Sequence, residues 1–296
     1  MVNMNKSKTA LEPLPFKPRR RPVVLLLLDG WGISVTRENN AIRQAIIPNF
    51  KNLVAHYPAA VIAGSSKKDS INYPMMGAGS TNLESDSLSK IIAANHLKQI
   101  KIAETEKFAL VSIFFNNSEL QLPGEDYDLV PSPVKTTFDI NIKMATPEVI
   151  KHLDKALKSD LYDFIFLSLA NIDNVSHLGD FKNTIKAIEF IDRSLKKITQ
   201  LVLNHKGILL ITSSHGYAEQ VFDLQTDLAT TENTANPVPF IIVGEEYDGK
   251  TIGLEDAPAN DLSLLEPVGS ILDISPTILH ILGIDVPTTM EGKSLI

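Results

Sequence analysis

The chain has 296 residues, 44% of them hydrophobic, with 28 Lys and Arg against 35 Asp and Glu and a formal net charge of −7. That length supports a sizeable buried core, while the acidic balance offers no global field for nucleic acid or anionic lipid. With no cysteine, disulfides and thiolate metal sites are excluded; any metal must be held by His, Asp, Glu or hydroxyl oxygen, and the composition suits a reducing cytoplasm.

Residues 1–21 carry several prolines and the basic run Lys17 to Arg21 without apolar periodicity. They read as a poorly ordered leader lacking the apolar core of a signal peptide. Val23 to Leu28 is unbroken apolar and stops at Asp29-Gly30, the pattern of a central strand buried on both faces. It is far short of the roughly 20 residues needed to cross a bilayer, so neither export nor membrane insertion is expected. Ser65 to Asn95 has little periodicity, many hydroxyls and a Gly77-Ala78-Gly79 cluster, and reads as a loop followed by a helix from about Ser87.

Phe164 to Leu169 is a second buried strand, followed by Asn171 and Asp173; Gly207 to Ile211 is a third, followed by Ser213, Ser214 and His215. Between them Ile185, Ile188, Ile191, Leu195, Ile198 and Val202 step by three or four, one buried face of a helix. The three form a β-α-β crossover. Val238 to Val243 reads as another strand, and Asp273 to Leu282 as a closing helix ended by Gly283.

Chemistry in open α/β sheets gathers at the carboxyl ends of strands, where Asp29, Asp173 and Ser214-His215 fall. Asp173 and His177 stand four apart in what reads as a polar loop. Carboxylate with imidazole, thiolates being absent, is a ligand set for Mn²⁺ or Zn²⁺. Singly each group has an ordinary explanation: an Asp after a strand caps helices and turns, and a His near Gly is commonly a hydrogen-bonded loop residue. Four such groups at three strand ends point to a common site.

The longer motifs resemble a known family. Leu28-Asp29-Gly30-Trp31-Gly32, Asn39-Asn40-Ala41-Ile42, Lys101 to Lys107, Val130-Pro131-Ser132-Pro133, Ser214-His215-Gly216, Asn236-Pro237-Val238-Pro239-Phe240 and Glu291 to Ile296 are similar to landmarks of the cofactor-independent phosphoglycerate mutases, in their order. These enzymes belong to the alkaline-phosphatase superfamily. The resemblance covers Arg21 to Gly64 and His96 to Ile296. It implies an α/β fold, a three-layer α/β/α sandwich on a mostly parallel sheet, spanning residues 22–296 as a single domain. It also implies metal ligands at Asp29, Asp173, His177 and His215 and a phosphate contact at Lys107. In the family, paired cations activate a serine that takes up the phosphoryl group.

The departures are as specific as the matches. Ser214 stands where the family has a metal-binding Asp, and Asn233 where it has a further His. The family's Gly-Asn-Ser-Glu nucleophile segment has no counterpart. Either Met76-Gly77-Ala78-Gly79 occupies it, placing Gly79 at the nucleophile, or that cluster matches the Gly-Ala-Gly just beyond and the segment is deleted. Ser80 could serve as the nucleophile only if the loop shifts. The family's inserted domain, which grips the sugar-acid substrate, is also missing between Ser80 and His96. The expectation is a divergent mutase relative that is catalytically silent or nearly so and acts by binding a phosphorylated small molecule or a protein partner. It would bind no nucleic acid and no membrane, and would hold one divalent cation, Mn²⁺ or Zn²⁺, or none. The alternative is a residual metal-dependent phosphomonoesterase.

Overall fold

The apolar runs become strands because β-branched and aliphatic residues fit a pleated surface covered on both sides. In the computed structural model, which describes residues 22–133, 141–222, 228–230, 232–252 and 254–296, such runs and the more polar edge segment Glu125–Val130 form one sheet of seven strands. They are β1 (Val23–Leu27), β2 (Ala59–Ile62), β3 (Gln99–Glu104), β4 (Glu125–Val130), β5 (Phe164–Ser168), β6 (Ile208–Thr212) and β7 (Val238–Val243). Their order is β2-β7-β6-β1-β5-β3-β4. The pairs of β1 with β5 and β6, and of β3 with β4 and β5, are parallel, whereas β7 runs antiparallel to β2 and β6. The sheet is therefore mostly parallel, as expected. The leader expected at 1–21, with its basic run, lies outside the described residues.

Nine α-helices flank the sheet among the described residues: α1 (Ala41–Gln44), α2 (Pro48–His56), α3 (Asp69–Ala78), α4 (Leu88–Ala94), α5 (Thr105–Ala109), α6 (Thr146–Ser159), α7 (Asn171–Ser176), α8 (Phe181–Asn204) and α9 (Ile274–Leu282). Alternation along β1 divides the core. Val24, Leu26 and Leu28 join α2, α6 and α8 on one face, while Val23, Leu25 and Leu27 join α3, α4 and α9 on the other. The result is three layers, helix on sheet on helix. The stepped apolar residues from Ile188 to Val202 are the buried face of α8, which carries the chain from β5 to β6 on either side of β1.

Two expectations are corrected. Ser65 to Ser87 is not all loop, because α3 fills Asp69–Ala78 despite Pro74 in its interior. Proline lacks the amide that a helix interior uses, and this conceals the helix in the sequence. Tyr73 and Met76, one turn apart, nevertheless pack into the core. The helix expected from Ser87 is α4, with the Ser87 hydroxyl accepting from the Lys90 amide at 3.3 Å. Nor do Asp173 and His177 lie in a loop. Asp173 is in the first turn of α7 and His177 caps its end, so the spacing of four places both side chains on one helical face.

Glu104, the last residue of β3, is fully buried. One carboxyl oxygen accepts from the Ala145 amide at 3.0 Å, and the other has no hydrogen-bond partner. Burial pushes this carboxyl up to about 7, against the opposing hydrogen bonds from Ala145 and Ser132. The folded state thus holds a proton that the unfolded chain releases near the ordinary carboxylate value, so this contribution is lost as pH rises toward 7. Denaturant titrations at pH 5 and pH 7.5 are expected to show Glu104→Gln gaining stability relative to the parent at the higher pH. An unchanged difference between the two proteins would contradict the assignment.

Candidate metal centre

Strand β1 delivers Asp29 to the sheet's carboxyl edge, with β5 and β6 on either side. Gly30 follows at φ +84°, a left-handed conformation that glycine adopts without strain. A Cβ there would stand 3.2 Å from the Asp173 backbone. The close approach of these two chain segments is what brings the carboxylates of Asp29 and Asp173 to one place.

Four further elements complete the cluster. The His215 ring, fully buried, lies 3.3 Å through Nε2 from Asp173 Oδ1. Its Nδ1 is 3.0 Å from Asp69 Oδ1 and 2.9 Å from the Ser214 hydroxyl. His177 Nε2 reaches Asp173 Oδ1 at 3.2 Å, and its ring lies against Tyr217. Lys107, from α5, places Nζ at 2.6 Å from Asp173 Oδ2, 2.8 Å from Asp69 Oδ2 and 3.4 Å from Asp29 Oδ2. Asp29 accepts from Tyr73 OH at 2.5 Å and from the Ser214 hydroxyl at 2.9 Å.

The electrostatics follow from this crowding. Burial would raise Asp173, but Lys107, His177 and His215 hold it well below the usual carboxylate range. Burial would likewise raise Asp69, whose carboxyl is instead held down to about 2 by hydrogen bonding to His215 and by the charges of Lys107 and His215. Burial would lower His215, yet its carboxylate neighbours, Asp173 and Asp69 foremost, raise it to about 10. Lys107 is held charged by Asp173, Asp29 and Asp69 in spite of its burial.

Of the sequence candidates, Asp29, Lys107, Asp173, His177, Ser214 and His215 come together. The Asn233 amide donates to the Lys67 carbonyl at 3.2 Å. Ser80 does not join. It lies past Gly79, the left-handed cap of α3, and its hydroxyl accepts from the Asn82 amide at 2.9 Å. Asp69 is at the opposite end of that helix, which spans about 15 Å at 1.5 Å per residue. Ser80 and Gly79 thus lie at the end of α3 away from Asp69. The first turn of α3 instead presents Asp69 to Lys107 and His215.

Asp69 and Tyr73 escaped sequence reasoning. Their spacing of four on one helix was the available signal, hidden by Pro74.

Asp69, Asp173 and His215 each offer a ligand atom, and these atoms lie within 4.8 Å of one another. Asp69 Oδ1 and Asp173 Oδ1 both face the His215 ring, at 3.0 and 3.3 Å. Two carboxylates and an imidazole are a ligand set of borderline divalent ions. The residues present fit one divalent metal ion.

Residues 21–286 match the model of the metalloenzyme superfamily. The chain belongs to that superfamily. Its relatives include the 2,3-bisphosphoglycerate-independent phosphoglycerate mutase of Cyanothece sp., 43% identical over 72% of this chain, and that of Clostridium beijerinckii, 38% identical over 72%. The chain spans 39% of the length of each of these curated relatives. Among solved structures it resembles phosphoglycerate mutase from Leishmania mexicana, with a TM-score of 0.58 at 24% identity over 70% of this chain and 38% of that one. The superfamily assignment agrees with the resemblance drawn from the motifs, and the structural likeness extends it to the fold.

Proposed function

We propose that this superfamily member is a mutase-derived binding protein that does not transfer phosphoryl groups. The observation that carries the reading is the kind of group that α3 turns toward the cluster. The group facing the cluster from the first turn of α3 is the carboxylate of Asp69, ion-paired to Lys107, rather than a free hydroxyl. The nearest serine hydroxyl, Ser214, is committed to Asp29 and His215. Losing members of one catalytic unit costs several orders of magnitude in rate.

Further support comes from the chain between α4 and β3. It passes directly through Asn95 to Lys98, leaving no room for a domain that would retain a sugar acid. The residual ligands would hold a single Mn²⁺ or Zn²⁺ that organises the carboxylates. A phosphorylated small molecule is the partner class favoured here, with the cytoplasm as its setting. A cavity of about 300 Å³ lined by Arg37, Lys51 and Asn40, and by Arg43 in its ion pair with Asp261, offers cationic groups for such an anion at Arg37 and Lys51.

The alternative, a residual phosphomonoesterase, would have to use Asp69 or water as nucleophile, since Ser80 is out of reach. A screen of phosphomonoesters, including 2- and 3-phosphoglycerate, with Mn²⁺ or Zn²⁺ separates the two. Turnover is expected to be no faster than that of the Asp173→Ala protein. Metal-dependent turnover that this substitution abolishes would overturn the binding reading in favour of the enzyme.

A further inference from the structure

The cavity walled by α1, α2 and the chain from Ala259 to Ser263 has a volume of about 300 Å³, at the small end of the range for ligand pockets. Among the described residues that line it, none belongs to the cluster at the strand ends. Its inner lining is apolar. Ile42, Ile47, Phe50 and Leu262 line it and all four are buried. Phe50 is also fixed in place by stacking on Trp31, with the ring centroids 4.6 Å apart.

The polar lining is of two kinds. Arg43 braces the walls together: its guanidinium lies 3.1 Å from Asp261 Oδ2 and donates to the Ser263 hydroxyl at 2.7 Å. Asn40 is likewise committed, donating to the Thr36 carbonyl at 2.8 Å and accepting from the Arg43 amide at 2.9 Å. Arg37 and Lys51, by contrast, are exposed, so their charges stand on the solvent side of the lining. The far wall carries Ala259 and Asn260 in succession at φ +53° and +57°, left-handed conformations that cost a non-glycine residue energy and gather at ligand sites.

An apolar interior with two cations toward solvent matches a ligand that is apolar at one end and anionic at the other. Building on the reading that the protein binds a phosphorylated small molecule, we propose that this cavity takes a phosphate monoester of an aromatic or branched apolar alcohol. The apolar group seats against Ile47, Phe50 and Leu262, and the phosphate dianion lies toward Arg37 and Lys51. A phosphorylated hydroxy acid fits poorly, because its hydroxyl and carboxylate would lose water against apolar walls whose amide and hydroxyl neighbours are already bonded to the protein.

Isothermal titration calorimetry of the full chain tests this, with the protein stripped of metal so that no bound ion holds the phosphate. Phenyl phosphate is expected to bind at least about tenfold more tightly than inorganic phosphate or 3-phosphoglycerate, through burial of its ring. Arg37→Ala/Lys51→Ala, both exposed positions, is expected to keep the parent's melting temperature and weaken phenyl phosphate by about tenfold. Ala45→Phe, which fills the cavity, is expected to abolish its binding, and the exposed double variant carries the test if Ala45→Phe does not fold. No binding of phenyl phosphate, equal affinity for the three probes, or binding that the folded variants leave unchanged would overturn the proposal. Tight 3-phosphoglycerate binding that ignores these substitutions would do so while leaving the proposed function standing. Metal-dependent turnover of a phosphomonoester would overturn that function and leave the cavity's preference as measured.

Discussion

Asp173→Ala is expected to destabilise the metal-free protein by about 3–5 kcal/mol, the range for removing one partner of a buried ion pair. Asp173 is the carboxylate shared by Lys107, His177 and His215, and the Lys107 and His215 side chains are almost wholly buried. Without it, Lys107 loses its shortest contact and His215 loses its Nε2 partner, and the fold gives neither group access to water as compensation. Urea unfolding of chelator-stripped protein measures the loss directly. Asp173→Asn, which keeps the shape and one acceptor oxygen, should fall between parent and Ala. A loss of under about 1 kcal/mol in the Ala variant would show that the cluster is solvated enough to dispense with its central anion.

Gly77→Ala is the second large effect, and it acts away from the charges. A Cβ at Gly77 would come 2.0 Å from the Phe115 carbonyl oxygen and 3.0 Å from its carbon. Phe115 closes a π-helical turn, Leu110–Phe114, that continues directly from α5. Backbone here meets backbone, so no side chain can swing aside, and the two segments must move apart. Overpacking of this kind costs about 3 kcal/mol. Since α3 carries Asp69 and α5 carries Lys107, the displacement should also separate that ion pair. Unfolding midpoints of Gly77→Ala, alone and combined with Asp69→Asn, check both parts. If the separation occurs, the second substitution adds less to the first than it costs by itself; full additivity would mean that the contact supports the fold but not the site.

Part of this centre was legible without coordinates. An unbroken apolar run ending in an acid is itself a statement about burial and position, which is why Asp29, Asp173 and His215 could be placed at strand ends. Asp173 and His177 stood out at a spacing of four, but the segment reads as a polar loop and their shared helical face is seen only in α7. A short polar helix has too few apolar residues to display a period, and α7 is six residues long.

Asp69 shows the opposite case. It lies 40 residues from Asp29 and 38 from Lys107 in sequence, its helix is disguised by Pro74, and no local pattern distinguishes it from a surface acid. The role of Lys107 was also only half visible. The resemblance implied a phosphate contact there, but its place among three carboxylates depends on where α3, α5 and α7 are packed.

The sequence alone therefore determined which segments are buried and that carboxylates and imidazoles fall at strand ends, because apolar periodicity and strand-end chemistry are local properties; the mostly parallel sheet was implied by the resemblance of the motifs. Only the tertiary structure decided that Asp69 joins them, that Ser80 does not, and that a lysine stands among the acids. Those facts depend on sheet order and on the close contact at Gly77, which set distances between residues far apart in the chain.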